Sequence, residues 1–249
     1  MKRLFISIVA IAIAIASSAT HFSDETLHYV VFYKWGLIQK DSGDAVLKLT
    51  SHGDAYSIEL TGRTKSWADK FYEVRDTLRA SVQKRGFRPL IYERIAHEGG
   101  KYAYDVVHYT YEEQNVNAKV RKYRDRKGEV STSEATMTAR GAAYDMLTVF
   151  YYLRTIDYAN LEANKRLKTI MFSGSKKETL TLQCLGKEKI KLRDKINRDA
   201  WHIRFNFTSS GGKKSSDDID AWISADAART PLLVEGSLPI GKVKAILVD

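Results

Sequence analysis

Tyr144-Asp145-Met146-Leu147-Thr148-Val149-Phe150-Tyr151-Tyr152-Leu153-Arg154, wound as a helix, is apolar on nearly every side. At helical spacing Met146, Val149, Phe150 and Leu153 make one stripe. Tyr144, Leu147, Thr148 and Tyr151 cover most of the opposite side. Only Asp145, Tyr152 and Arg154 interrupt the circle. A helix without a wettable side has to be enclosed. It rises only about 16 Å, roughly half a bilayer's hydrocarbon core, so it does not span a membrane. The enclosure must come from the rest of the chain.

Most of that chain alternates with the two-residue period of strands. Leu27 to Ile38, Ala45 to Thr50 and Tyr56 to Thr61 read as a meander, with turns at Asp41-Ser42-Gly43 and His52-Gly53-Asp54. Leu90 to His97 and Tyr102 to Glu112 flank the tight turn Glu98-Gly99-Gly100-Lys101, a hairpin signal. Val116 to Arg126 is a basic strand, and Ser131 to Thr138 is polar, small and loose. Beyond the helix come Leu167 to Ser173, Glu178 to Leu185, Lys187 to Arg193, Trp201 to Thr208, Asp220 to Ala225, Leu232 to Glu235 and Lys242 to Val248. Phe71 to Val82 reads equally as strand or helix. The pattern predicts a mainly β fold: a single curved antiparallel sheet, an open or half barrel of about a dozen strands, wrapped around one short buried helix near 142–155. No linker or internal repeat divides it, so residues 20–249 are expected to form one domain.

Met1-Lys2-Arg3, the apolar run Leu4 to Ala16 and the small residues Ser17-Ser18-Ala19 have the form of a signal peptide, cut after Ala19. The chain is therefore expected to be exported, to a periplasm or cell envelope. No second apolar run is long enough to span a membrane as a helix. Cys184 is the single cysteine, so no intrachain disulfide can form. An exported chain that stands on packing alone suits a bacterial periplasm. The net charge is +10, or +8 without Lys2 and Arg3. That balance favours anionic surroundings such as lipid headgroups, and nucleic acid is not an expected partner outside the cytoplasm.

Catalytic chemistry is not legible. The six histidines form no metal-binding spacing, and there is no nucleophile elbow or phosphate-binding glycine loop. Glu112-Glu113 and Asp217-Asp218-Asp220 sit beside turns, where carboxylates are usually solvated. No catalytic residue, metal or cofactor is assigned. Two binding features stand out. Tyr144, Tyr151 and Tyr152, with Trp222, are candidates to line a pocket for an amphiphilic ligand, against the alternative of core tyrosines with satisfied hydroxyls. Arg121, Lys122 and Arg124, within Lys119 to Lys127, are candidates for an anionic-surface patch. Their alternative role is charge on an edge strand that blocks wrong pairing.

Gly62-Arg63-Thr64, Phe71-Tyr72-Glu73-Val74-Arg75-Asp76, Tyr144 to Thr148 with Tyr151 to Arg154, and Trp222-Ile223-Ser224-Ala225-Asp226-Ala227-Ala228-Arg229-Thr230-Pro231 occur in this order. On these motifs the chain resembles the exported bacterial family called domain of unknown function three-one-zero-eight, and is most similar to its Bacteroides-type members. The resemblance covers nearly all the mature chain. It implies a periplasmic β-rich protein of uncharacterised function and brings no catalytic residues. More distantly the chain is similar to the lipoprotein-carrier half-barrels, in which a curved sheet cups a helical plug. Read physically, Asp226 and Arg229 are spaced to pair across a corner and fix the exit of the Trp222 strand.

These features favour a non-enzymatic binding or carrier module for a lipid-like or amphiphilic ligand. A structural or assembly protein of the envelope is the alternative, and a hydrolase acting on envelope polymers the second.

Overall fold

The computed structural model describes residues 21–35, 38–161, 165–237 and 241–248. The expected signal segment and residues 238–240 of the expected last turn lie outside them. Eight strands come first: β1 (Glu25–Trp35), β2 (Ile38–His52), β3 (Ala55–Thr64), β4 (Val74–Gln83), β5 (Arg88–Glu98), β6 (Lys101–Glu112), β7 (Asn115–Arg126) and β8 (Glu129–Arg140). A short helix, α1 (Ser66–Asp69), links β3 to β4. The chain then makes the two-residue strand β9 (Ala143–Tyr144) and the helix α2 (Thr148–Thr155). Six more strands follow: β10 (Arg166–Ser173), β11 (Lys176–Lys191), β12 (Asn197–Ser209), β13 (Ile219–Ser224), β14 (Pro231–Ser237) and β15 (Lys242–Val248).

All fifteen join one sheet in the order β8-β7-β6-β5-β4-β3-β2-β1-β15-β14-β13-β12-β11-β10-β9. β1 is the middle strand of this order. Each half is a meander running outward from β1, and every pairing is antiparallel except β9 with β10. The chain must therefore pass from one outer edge of the sheet to the other. That passage is the short link at residues 141–142, between β8 and β9, and α2 lies in the next connection, from β9 to its parallel partner β10. A connection through an apolar interior needs its backbone groups paired, and a helix pairs its own.

The sheet curls until its edges nearly meet. Lys122 on β7 donates to Ser175 Oγ (2.7 Å), and Lys177 donates to the Thr138 carbonyl (3.3 Å). The Tyr109 and Phe172 rings stack at 6.2 Å. The result is a nearly closed barrel, more strands and more closure than the expected half barrel. α2 packs against both halves: Tyr151 lies 6.2 Å from the Phe87 ring, and Phe150 lies 6.3 Å from Phe205. Leu147, Val149, Tyr151 and Leu153 join the single core cluster with Ile58, Val82, Val107, Leu180 and Ile203.

Several sequence expectations are corrected. The helix begins at Thr148, because Asp145 turns its carboxylate back onto the chain: Oδ1 accepts from the backbone N–H groups of Leu147 (2.9 Å) and Thr148 (2.7 Å), and Oδ2 from the Thr148 hydroxyl (2.7 Å). Tyr144 to Leu147 is thus a capping turn after β9. Met146, expected in the apolar stripe, is 38 % exposed, and Phe150 is half-buried. The two charged residues expected to break the circle, Asp145 and Arg154, are buried. Residues 131–138 are a regular part of β8, and the two segments expected on either side of Gly186 form the single strand β11 with a bulge there. Asp41 to Gly43 lies inside β2, where a bulge opposite Val31 and Phe32 absorbs it. A Cβ on Gly43 would stand 2.5 Å from the Arg63 carbonyl oxygen, so only glycine fits that close pairing. Phe71 to Val82 resolves into strand from Val74 onward.

Candidate ligand-binding site

One guanidinium holds the interior together. Arg154, 1 % exposed, projects from the last turn of α2 and pairs with Glu25 on β1 through both nitrogens, Nη2 at 3.0 Å from Oε2. Its remaining N–H groups donate to the carbonyls of Ala228 and Arg229, both at 2.9 Å. The Phe22 and Tyr151 rings lie 4.7 and 4.8 Å from its central carbon. The Tyr151 hydroxyl donates to Glu25 Oε1 (2.9 Å), and the Tyr29 hydroxyl to the Pro231 carbonyl (2.9 Å).

The β13–β14 corner completes this anchor. Asp226 Oδ1 accepts from the Ser224 hydroxyl and from the backbone N–H groups of Ala228 and Arg229. Arg229 does not pair with Asp226 across the corner. Its guanidinium reaches the carbonyls of Arg154 and Ile156, acceptors at the C-terminus of α2. The helix motif and the Trp222–Pro231 motif, more than seventy residues apart, are thus two halves of one contact.

A cleft of about 510 Å³ opens at the barrel end formed by the β4–β5 turn, the β6–β7 turn and the β8–β9 link. Its floor carries Tyr111, Val116, Ala143 and Tyr144, and its rim carries Arg88, Glu113, Gln114 and Arg140. The volume falls within the range of small-molecule sites. Tyr144 stacks on Tyr152, centroids 4.5 Å apart. Burial pushes both hydroxyls above the usual tyrosine range, so they stay neutral. Phe87 sits in the cleft with φ +50°, a left-handed conformation that a bulky residue rarely adopts. A second hollow of about 470 Å³ lies by Lys187, Asp199, Asp226 and Leu232. There Lys187 already pairs with Asp199 at 3.1 Å.

Below the cleft the inner sheet face turns polar. Arg94, Asp105 and Lys122 are direct cross-strand neighbours on β5, β6 and β7. Arg94 reaches Glu98 (2.5 Å) and Asp76 (3.6 Å), and Arg124 reaches Asp105. Burial, then the adjacent Glu98 carboxyl, holds Asp76 well above the ordinary carboxylate range. Burial lowers the Lys122 ammonium. Three buried atoms on this face, Asp76 Oδ1, Tyr92 OH and Tyr109 OH, have no hydrogen-bond partner among the described residues. Unsatisfied buried groups are costly, and this many on one face mark an interior that is not packed dry.

The structure separates the residues singled out from sequence. Tyr144 lines the cleft and Tyr152 stacks beneath it. Tyr151 is fully buried in the Glu25–Arg154 anchor. Trp222 lies on another part of the sheet, stacked on His202 at 4.3 Å with its indole N–H on Glu188. Strand alternation divides the basic run: Arg121 faces outward and pairs with Glu134 (2.8 Å), while Lys122 and Arg124 share the inner face. Arg88, Tyr111 and Arg140 were not foreseen. Arg88 was legible only as part of a loop, and Arg140 carried no signal. Cys184 is half-buried, with its thiol raised by burial. Among the described residues no group of three or more His, Cys, Asp and Glu side chains is placed to hold a metal ion, and no helix is long and apolar enough to cross a membrane.

Fold and cleft together define a β-barrel-like protein with an internal helix. Among solved structures it is similar to a β-barrel-like protein of domain of unknown function DUF1849 from Brucella abortus: 9 % identity, TM-score 0.61, covering 92 % of this chain and 98 % of that one. At that identity the likeness establishes the fold alone. The chain belongs to the family described as Protein of unknown function (DUF3108), whose model matches residues 28–248. No curated protein matches the sequence.

Proposed function

We propose that this is an exported envelope protein that binds or carries a lipid-like, amphiphilic ligand at the barrel end, between the sheet and the segment leading into α2. The observation that carries this reading is the cleft beside Tyr144, with an aromatic floor and a polar rim. The unpartnered polar atoms on the inner face beneath it support the same reading, since a purely structural barrel has no use for them. Among the described residues no constellation of nucleophile, base and oxyanion donor accompanies the cleft, which favours binding over hydrolysis.

The test is native mass spectrometry and solvent extraction of the protein purified from the envelope of an expressing bacterium. An amphiphile should co-purify with the wild type and be depleted in Tyr144→Ala. A protein that emerges ligand-free, and crosslinks in cells to a protein neighbour only, would favour the structural alternative.

Contact with an anionic membrane surface belongs to the same proposal, with Arg121 as its outward-facing member. Arg121→Glu should weaken binding to vesicles containing an acidic lipid, and the loss should shrink as salt rises. Because Arg121 is 64 % exposed, the substitution should move stability by less than about 1 kcal/mol. Vesicle binding indifferent to both charge and salt would remove this part of the proposal.

A further inference from the structure

We infer that the cleft selects a ligand with an anionic headgroup, held between Arg88 and Arg140; this rests on the cleft being a ligand site. The two arginines enter from separate elements, Arg88 at the start of β5 and Arg140 at the end of β8, and both line the cleft. Each is oriented by a neutral partner. Arg140 donates through Nε and Nη2 to the single amide oxygen of Gln114, at 3.1 and 2.9 Å. Its charge is positioned and not neutralised. The Arg88 guanidinium lies 5.2 Å from the Tyr111 ring centroid. That ring is fixed in turn by its hydroxyl, which donates to the Pro89 carbonyl at 2.6 Å.

Neither guanidinium takes part in an ion pair with a carboxylate among the described residues. Elsewhere arginines do pair: Arg75 with Asp69, Arg79 with Glu59, Arg204 with Asp220. Among the described residues Glu113 is the one acidic side chain lining the cleft, and it pairs with neither arginine. The cleft therefore offers two pre-oriented forks above an apolar and aromatic floor of Val116, Ala143 and Tyr144. Planar forks of this kind match the oxygens of a carboxylate or phosphate. Cations at the rim and carbon at the floor set the order in which a ligand must present its own parts: oxyanion outward, hydrocarbon inward.

The experiment compares three probes by calorimetric titration of the full chain: palmitate, its methyl ester and inorganic phosphate. Palmitate should bind about tenfold or more tightly than the ester. Arg88→Gln and Arg140→Gln should each erase most of that difference, lowering palmitate binding far more than ester binding. Glu113→Gln should strengthen palmitate binding, because it removes the competing charge. Thermal melts of the three variants should match the wild type, all three side chains being at the surface. Equal affinity for palmitate and ester would overturn the headgroup clamp and leave the ligand-site reading standing. Failure of both would remove the ligand site itself. Phosphate binding as tightly as palmitate would replace the amphiphile with a free anion and overturn the inference.

Discussion

Glu25→Ala is expected to lower the folding free energy by about 3–5 kcal/mol, read as a shifted urea midpoint with an unchanged slope. The reason is what the substitution leaves behind. The Arg154 side chain is 2 % exposed and the Glu25 side chain 19 %. Deleting the carboxylate leaves a buried guanidinium without its counter-charge, facing the Phe22 and Tyr151 rings. It also removes the acceptor of the Tyr151 hydroxyl. Arg154→Met should cost a comparable amount by a different route, orphaning the carbonyls of Ala228 and Arg229 along with Glu25. In the double variant the losses should fall well short of additive, since the charges that each single change strands are then both absent. A loss below about 1 kcal/mol for Glu25→Ala would place this pair with ordinary surface ion pairs and deny it a part in holding the barrel.

The position of this pair explains the expected size. β1 is the central strand of the sheet, and its register sets both meanders. α2 lies in the connection between β9 and β10 at one outer edge, and the Ala228–Arg229 corner joins β13 to β14. A single side chain, Arg154, touches all three. The Phe22 ring, just before β1, packs edge-on against Tyr151 at 5.2 Å and lies 5.9 Å from Phe87, at the wall of the cleft. The anchor and the candidate site are therefore mechanically adjacent, and partial loosening of one should be felt at the other.

The mainly β class and the enclosed helix were legible because both rest on periodicity. The two-residue period of Leu27, Tyr29, Val31 and Tyr33 and of the β5–β6 hairpin leaves few other structures, and an eleven-residue segment apolar on nearly every side has to go inside. The limits of that logic show at α2. Hydropathy counted Asp145 and Arg154 as the residues to leave in water. Local partners two and three residues on reversed the first, through the cap at Leu147 and Thr148, and a tertiary partner over a hundred residues away in sequence, Glu25, reversed the second. Met146 went the opposite way because the helix starts later than its pattern suggested. The polar strand β8 looked loose, since a strand in register with a polar partner needs no apolar alternation; its ladder to β7 runs without a shift from Asn115–Arg140 to Arg126–Glu129. The cleft was half visible. Tyr144 came from composition, but Arg88, Gln114 and Arg140 are brought together only by the turns at one end of the barrel, and no sequence spacing encodes that.

Asp145 should make the protein less stable as pH rises from 4 to 6. The carboxyl is 0 % exposed, and burial raises its pKa from 3.8 to about 6. The Thr148 N–H and hydroxyl and the Leu147 N–H pull it down, but they do not offset the loss of water. A group whose pKa is higher in the folded than in the unfolded chain contributes stability that is fully present below the unfolded value. That contribution is lost as pH rises through the folded value. The window is therefore about pH 4 to 6, and the loss is on the order of 3 kcal/mol. Asp76, also raised, works in the same direction, so the wild-type profile alone does not isolate Asp145. Asp69, Asp194, Asp199 and Asp218 are held low, and their contribution is lost only at more acid pH. Asp145→Asn separates the effects. Its amide oxygen can still accept from the Leu147 and Thr148 N–H groups, its NH₂ can donate to the Thr148 hydroxyl oxygen, and it never ionises. Urea titrations at pH 4, 5, 6 and 7 should show the variant losing less stability than the wild type across that range, and matching or exceeding it at pH 7. A variant whose profile runs parallel to the wild type would mean that the Asp145 carboxylate is solvated in the folded chain, and that the start of α2, beside the candidate ligand site, is open to water.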